Sequence, residues 1–264
     1  MTLLRPDIAV LAVLAAALVV LVTVPGGMRE DVASPLAAAT ADARSPLDMR
    51  SVALLRPLRE ARSQPTLAPG PHGAIVLRRT QLRTRPGGRV VRTLGTRTVW
   101  GSRNVLGVVE RREGWIGVLS DRLANSRVGW IPAGSAKLVH EPYTMHIDVS
   151  ARSLVVRHGG RVARRVKIAV GRPGSTTPLG RFAITDLLRW KGHGAYGCCA
   201  MALTARQPNI PQGWSGGDRI GIHGTPNEAS VGAAVTAGCM RAKEADMQWM
   251  LKHVRLGAPV RVRA

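Results

Sequence analysis

The sequence predicts a mainly β protein that has two β units and a single clear amphipathic helix. Short apolar runs separated by glycine-, proline- or charge-rich turns recur from Ala74 onward, as expected for a series of short strands. One stretch near the C-terminus has helical periodicity instead, with apolar residues at i, i+3, i+4 and i+7 followed by Gly257. These apolar residues are Met247, Met250, Leu251 and Val254.

Residues 1–27 contain a continuous apolar run, which predicts a membrane anchor or a signal peptide. The run extends from Ile8 to Val24 and ends at a Pro-Gly-Gly turn. It is at the lower limit for a membrane-spanning helix and slightly long for the core of a signal peptide. A tract of small residues at 33–43 offers a cleavage site, but we expect an uncleaved transmembrane helix. Either outcome places the rest of the chain outside the cytoplasmic membrane.

The chain is strongly basic, with a formal net charge of +22 and a pI near 11.7. Such a charge favours anionic partners through long-range attraction. The arginines are scattered and no nucleic-acid-binding motif is present, so we do not expect a nucleic acid partner. Anionic polymers of a cell wall stay open as partners. Residues 28–73 are rich in Ala, Pro, Ser and Arg without sustained periodicity, which predicts a flexible linker.

Residues 74–140 form the first predicted β unit. Its apolar runs lie at 75–77, 89–92, 104–109, 115–119 and 128–131. The sequences Leu82-Arg83-Thr84-Arg85-Pro86, Gly114-Trp115-Ile116-Gly117-Val118 and Gly129-Trp130-Ile131-Pro132-Ala133 resemble those of bacterial SH3-like domains. The resemblance implies a small SH3-like β-barrel, in which we expect Trp115 and Trp130 to serve mainly in packing.

Residues 141–264 form the second predicted unit. Its strand-like runs lie at 146–149, 154–157, 161–170, 182–185 and 259–262. A His-Gly-Gly sequence at 158–160 suits a tight hairpin turn between two of these strands. With the one helix, this pattern predicts a mostly β sandwich.

The candidate nucleophile is a cysteine paired with a histidine. His223 is followed by Gly224 and Thr225, and Cys239 lies within Thr236-Ala237-Gly238-Cys239-Met240-Arg241. An imidazole can remove or share a thiol proton, and the resulting thiolate can attack a carbonyl. The sequence therefore predicts a thiolate at neutral pH, with His223 as the general base.

These two segments resemble the signature of the cysteine L,D-transpeptidases of bacterial cell-wall synthesis. That signature is His-Gly-Thr followed by Ser/Thr-x-Gly-Cys-x-Arg, and every fixed position is filled here. The segment from Gly171 to Phe182 also resembles the family's Gly-x-Pro-Gly-x-x-Thr-Pro-x-Gly-x-Phe sequence. The resemblance spans about Tyr143 to Val262 and implies the family's sandwich fold.

The resemblance also implies roles for the surrounding residues. The carbonyl of Gly224 would orient the imidazole, and backbone N–H groups around Gly238 and Cys239 would stabilise the oxyanion. We expect Arg241 to hold the loop or a substrate carboxylate. Two further residues are candidates with weaker support: Thr236 for hydrogen bonds within the loop, and Tyr196 for contact with substrate.

The implied reaction begins when a tetrapeptide stem of peptidoglycan acylates Cys239 and releases D-alanine. An amine of a neighbouring stem then attacks the thioester and forms a 3→3 cross-link. One alternative is an L,D-carboxypeptidase, in which water attacks the thioester. The other is a wall-binding scaffold without activity.

The predicted chemistry requires neither a cofactor nor a metal. A zinc site made of His193, Cys198 and Cys199 fits no standard ligand spacing. We expect Cys198 and Cys199 to be reduced and packed, or bridged only occasionally, because a bridge between adjacent cysteines closes a small, strained ring.

Overall fold

The computed structural model describes residues 70–209 and 217–264, and the strands in these ranges form two large sheets. The first sheet is antiparallel and has seven strands in the order β3-β2-β6-β5-β4-β1-β7. These strands are β1 (His72–Val76), β2 (Thr80–Arg83), β3 (Val90–Leu94), β4 (Val105–Arg112), β5 (Trp115–Leu119), β6 (Gly129–Pro132) and β7 (Ala136–His140).

The second sheet has eight strands in the order β10-β9-β8-β17-β12-β13-β14-β16. Its strands are β8 (Tyr143–Asp148), β9 (Ser153–His158), β10 (Arg161–Lys167), β12 (Gly180–Gly194), β13 (Gly197–Arg206), β14 (Arg219–His223), β16 (Met240–Arg241) and β17 (Pro259–Arg263). A separate parallel ladder pairs β11 (Val170–Gly171) with β15 (Ala234–Thr236).

Alternation of side chains determines which face of the second sheet is buried. On β8 and β9, Met145, Ile147, Leu154 and Val156 are fully buried, while their neighbours face solvent or are half-buried. The helix α1 (Glu244–His253) covers this core through Met247, Met250 and Leu251. Burial of these apolar side chains is the main stabilising contribution to this half of the protein.

The predicted helix is therefore confirmed, and so is the mainly β architecture. The longest strand, β12, extends well beyond the predicted run at 182–185, and its second half pairs with β13. The predicted boundary at 140/141 falls between β7, at the edge of the first sheet, and β8 in the second.

The first sheet also begins close to its predicted start, since β1 starts at His72 rather than Ala74. Trp130 is buried and Trp115 is half-buried, as expected for packing residues. The SH3-like character of residues 74–140 stays a prediction.

Both sheets belong to one compact unit, and β4 packs against β12.

The predicted anchor at residues 1–27 and nearly all of the predicted linker lie outside the described residues. Within residues 70–209 and 217–264, no helix has the length and apolar character needed to cross a membrane.

Candidate active site

Parallel pairing of two short strands brings the histidine and the cysteine together. His223 is the last residue of β14, and Cys239 immediately precedes β16. The register pairs Ile222 with Met240 and His223 with Arg241. Neighbouring strands lie only about 4.8 Å apart, and both candidate residues line one cavity of about 170 Å³.

A backbone carbonyl fixes the orientation and tautomer of His223. The ring nitrogen Nδ1 lies 2.6 Å from the carbonyl oxygen of Gly224, the carbonyl that the family resemblance assigns to this position. A carbonyl only accepts hydrogen bonds, so Nδ1 carries the proton in this contact. The other nitrogen, Nε2, is therefore the site at which the neutral ring can accept a proton.

Burial favours the neutral form of both members of the pair. Burial lowers the pKa of His223 to about 4, and the charge of Arg241 acts in the same direction, although the bond to Gly224 opposes the shift. Burial also raises the pKa of the Cys239 thiol, which the Gly221 backbone and Arg241 offset only in part. Both shifts favour a thiol and a neutral imidazole over the expected thiolate.

The cysteine loop is held by its own threonine. The buried Thr236 hydroxyl donates to the carbonyl of Cys239 at 2.5 Å and accepts the N–H of Gly238 at 3.1 Å. The expected hydrogen bonds of Thr236 within the loop are therefore present. The same hydroxyl accepts the N–H of Gly238, and the oxyanion role expected of the N–H groups around Gly238 and Cys239 stays a prediction.

The segment beginning at Gly171 supports the cysteine loop from the other side. Ser175 Oγ donates to the carbonyl of Ala237 at 2.8 Å, and Thr177 Oγ1 donates to the carbonyl of Gly238 at 2.9 Å. Thr177 Oγ1 also accepts the N–H of Gly171 at 2.9 Å. The two sequence segments thus form one hydrogen-bonded structure that positions the thiol.

Two glycines lie beside the reactive side chains. Gly238 has φ +121°, a conformation that side-chain-bearing residues rarely adopt. At Gly224 a Cβ would meet the end of the Glu244 side chain, which would have to move. The glycines beside the thiol and the imidazole therefore permit the tight packing of the site.

Arg241 and Tyr196 lie beside the pair of His223 and Cys239, which is called the dyad below. The charge of Arg241 acts on the pKa of His223, Cys239 and Tyr196, and its buried Nε atom has no partner among the described residues. The Tyr196 ring lies edge-on to His223 with ring centroids 4.7 Å apart and lines the same cavity. Burial raises the pKa of Tyr196.

One carboxylate near the dyad, that of Glu244, was not identified from the sequence. Glu244 Oε2 accepts the N–H of Cys198 at 2.8 Å, and the same side chain packs against Gly224. Its Oε1 atom is buried without a hydrogen-bond partner. The sequence does place an acidic residue at the start of α1. An acidic residue there commonly indicates only a favourable interaction with the helix dipole, so it did not point to the active site.

Cys198 and Cys199 are joined in a disulfide. The structure thus has the bridged form, which the sequence predicts to occur only occasionally. β13 begins irregularly here, with Gly197 in the left-handed region and a register shift in the pairing with β12. Cys239 is the one free cysteine of the chain.

The side chain of His193 lies outside the described part of the chain, so the zinc alternative is not examined by the structure. Among the side chains that are described, no group of three or more His, Cys, Asp or Glu residues is placed to hold a metal.

The family comparison agrees with this geometry. Residues 142–262 match the family model of YkuD, the L,D-transpeptidase catalytic domain. A relative from Bacillus subtilis, the putative L,D-transpeptidase YkuD, is 33% identical over 106 residues, covering 40% of this chain and 57% of the relative. The corresponding protein of Bacillus licheniformis is 29% identical over 46% of this chain and 66% of its own length. The chain thus spans less than two thirds of these relatives.

Solved structures of similar proteins include two from mycobacteria. An L,D-transpeptidase from Mycobacterium smegmatis has a TM-score of 0.40 at 19% identity, covering 62% of this chain and 92% of that one. L,D-transpeptidase 3 from Mycobacterium tuberculosis, in complex with a faropenem-derived adduct, has a TM-score of 0.40 at 17% identity, covering 52% and 73%. In sequence, residues 142–262 are thus similar to the YkuD family of L,D-transpeptidase catalytic domains.

Proposed function

We propose that this protein is a peptidoglycan L,D-transpeptidase that forms 3→3 cross-links through a thioester on Cys239. The observation that carries the proposal is the hydrogen bond between His223 Nδ1 and Gly224 O. It leaves Nε2 as the proton acceptor in the cavity that the Cys239 thiol also lines.

The neutral pair determines the order of proton transfers. As the sulfur of Cys239 bonds to the donor carbonyl carbon, the thiol proton passes to Nε2 of His223. The N–H of Cys239 stabilises the oxyanion. The tetrahedral intermediate then expels the amine of D-alanine, which takes the proton from the imidazolium. Attack by an acceptor amine repeats these steps in reverse and returns the proton to the thiol.

Arg241 supports donor binding in this proposal. Its guanidinium is close enough to act on the pKa of both dyad residues. A donor carboxylate beside it would form a charge-assisted hydrogen bond with the guanidinium. Tyr196 would form the neighbouring wall of the donor site.

Product analysis tests the reaction. Purified protein is incubated with tetrapeptide stems, with and without an acceptor stem, and the products are identified by mass spectrometry. Cross-linked dimers that disappear in Cys239→Ala support the transpeptidase. Release of D-alanine without dimers would instead identify the L,D-carboxypeptidase, and absence of any product from folded protein would favour the wall-binding scaffold.

We further propose that the protein acts outside the cytoplasmic membrane, held there by a helix at residues 8–24. The supporting observation is the apolar run in the sequence. Full-length protein should then fractionate with membranes. A mature N-terminus between residues 33 and 43, found by intact mass, would show a cleaved signal peptide instead.

Anionic wall polymers are proposed as additional partners. The exposed face of β8, β9, β10 and β17 has a groove of about 650 Å³ that contains a cluster of arginines. These are Arg157, Arg165, Arg261 and Arg263. The one acidic residue in the groove lining, Asp148, already pairs with Arg263 at 3.0 Å, so the groove retains excess positive charge that would attract a polyanion.

A further inference from the structure

The cavity beside Cys239 has walls from both sheets. Trp100 lies in the turn between β3 and β4 of the first sheet, outside the segment that matches the family model. It nevertheless lines the same cavity as Cys239 and His223. The catalytic domain alone therefore does not form the complete cavity.

A buried arginine supports the Trp100 ring. The guanidinium carbon of Arg219 lies 5.0 Å from the ring centroid, a cation–π contact. Arg219 is itself fixed by hydrogen bonds to Thr185 Oγ1 at 2.8 Å and to the carbonyl of Leu203 at 2.7 Å. Its third partner is Asp121 of the first sheet's loop, at 2.7 Å. The arginine is thus held by both sheets.

Further contacts between the sheets hold the turn that carries Trp100. Thr98, two residues earlier, donates through Oγ1 to the buried carboxylate of Asp186 at 2.5 Å. On the same side of the protein, Asn125 and Arg206 exchange two hydrogen bonds of 2.8 and 2.9 Å. These contacts fix the position of the Trp100 ring relative to the dyad.

The remaining walls define the kind of group that fits. The ring centroids of Trp190 and Tyr196 are 6.2 Å apart. Leu188 and Ala200 add apolar surface to the cavity. Trp190 is oriented by a hydrogen bond from its Nε1 to the carbonyl of Gly197 at 2.6 Å. The cavity walls are thus mainly aromatic and aliphatic, with Arg219 as the charged residue of the lining, and such walls favour contact with an aliphatic chain.

We propose that Trp100, with Trp190 and Tyr196, forms an aromatic subsite that binds the aliphatic stem of the side chain of the donor residue whose carbonyl Cys239 attacks, with the polar end of that side chain outside the aromatic walls. This inference rests on the proposed transpeptidase function. It makes the first sheet part of the substrate site, and it makes Trp100 a specificity-determining residue rather than a part of a separate wall-binding module.

The test measures donor binding and turnover separately, in the full-length protein. The variants are Trp100→Ala and Trp100→Phe, with Val99→Ala as the matched control, because Val99 is 65% exposed in the same turn and does not line the cavity. Loss of the indole face should raise the KM for a tetrapeptide donor about tenfold. The kcat and the rate of Cys239 alkylation by iodoacetamide should stay within about threefold, and Trp100→Phe should recover most of the affinity.

A binding measurement separates this inference from the proposed function. Isothermal titration calorimetry gives the Kd of the tetrapeptide for two inactive proteins, Cys239→Ala and Cys239→Ala combined with Trp100→Ala. A tenfold rise in Kd supports the subsite even if the wild-type protein proves inactive in cross-linking. Equal Kd and KM values for wild type and Trp100→Ala would overturn the subsite while leaving an active transpeptidase intact. If thermal unfolding shows that Trp100→Ala does not fold, Trp100→Leu, which retains apolar volume, replaces it under the same criteria.

Discussion

Thr177 and Gly238 are joined by a buried hydrogen bond of 2.9 Å from the threonine hydroxyl to the glycine carbonyl. The same hydroxyl accepts the N–H of Gly171. One side chain therefore links the segment beginning at Gly171 to the residue preceding the nucleophile. The position of Cys239 depends on residues that lie more than sixty positions earlier in the sequence.

Removing this hydroxyl should destabilise the protein and disturb the site. Thr177→Val retains the shape but leaves two buried backbone groups without partners, so we expect a loss of about 2 to 3 kcal/mol in the free energy of unfolding. Thr177→Ser keeps the hydroxyl and should cost about 1 kcal/mol. Denaturant unfolding measures both values, and equal stability of the two variants would contradict the proposed linkage.

Cys239 should be the thiol that reacts with acylating inhibitors. A carbapenem presents a strained amide carbonyl similar to the donor's acyl group, so we expect a one-to-one adduct on Cys239. The adduct should be absent in Cys239→Ala. It should form on the order of a hundredfold more slowly in His223→Ala, which lacks the general base. Intact mass and peptide mapping locate it, and a label on Cys198 or Cys199 would show that the wrong thiol was identified.

Much of the fold could be predicted because strands and helices leave local patterns in the sequence. The apolar face of α1 and the alternation in β9 are examples, since each depends only on spacing along the chain. The dyad was also recognisable, because His223 and Cys239 stand in short segments with glycines beside them. The hydrogen bond to Gly224 O matched the expectation because it is made within two adjacent residues.

Features that depend on tertiary structure could not be predicted in this way. Trp100 reaches the cavity only because the two sheets pack together, and no local pattern indicates that contact. The raised pKa of the Cys239 thiol follows from burial, which the sequence does not show. The hydrogen bond from the Gly238 N–H to Thr236 also depends on tertiary structure, because it requires the orientation that the loop gives to the Thr236 hydroxyl.

The lowered pKa of His223 should make stability depend on pH. The pKa falls from 6.5 to about 4 on folding, so the unfolded chain takes up this proton first as the pH decreases. The contribution is therefore complete above pH 6.5 and is lost between pH 6.5 and 4, by about 3 kcal/mol in total. His223→Gln cannot titrate, so its free energy of unfolding should fall less over this range. Identical pH profiles would show that His223 is not buried in neutral form.

Glu244 should matter for the backbone it holds rather than for its charge. Glu244→Ala removes the acceptor for the N–H of Cys198 and the contact with Gly224, so we expect a loss of about 1 to 2 kcal/mol in stability and slower turnover. Glu244→Gln keeps an oxygen for the same N–H and should stay close to wild type in both. If the glutamine variant is as slow as the alanine variant, the carboxylate charge itself is required.

The arginine groove should make binding to anionic polymers sensitive to salt and to charge reversal at this face. Arg157→Glu combined with Arg261→Glu places two negative charges in the groove, so affinity for an anionic wall polymer should fall at least tenfold at low salt. Arg89→Glu combined with Arg92→Glu has the same net charge but changes two exposed residues elsewhere, one just before β3 and one within it. Sedimentation with purified walls, at increasing salt, compares the two pairs. Equal losses for both pairs would mean that the overall charge attracts the polymer and that the groove is not a specific site.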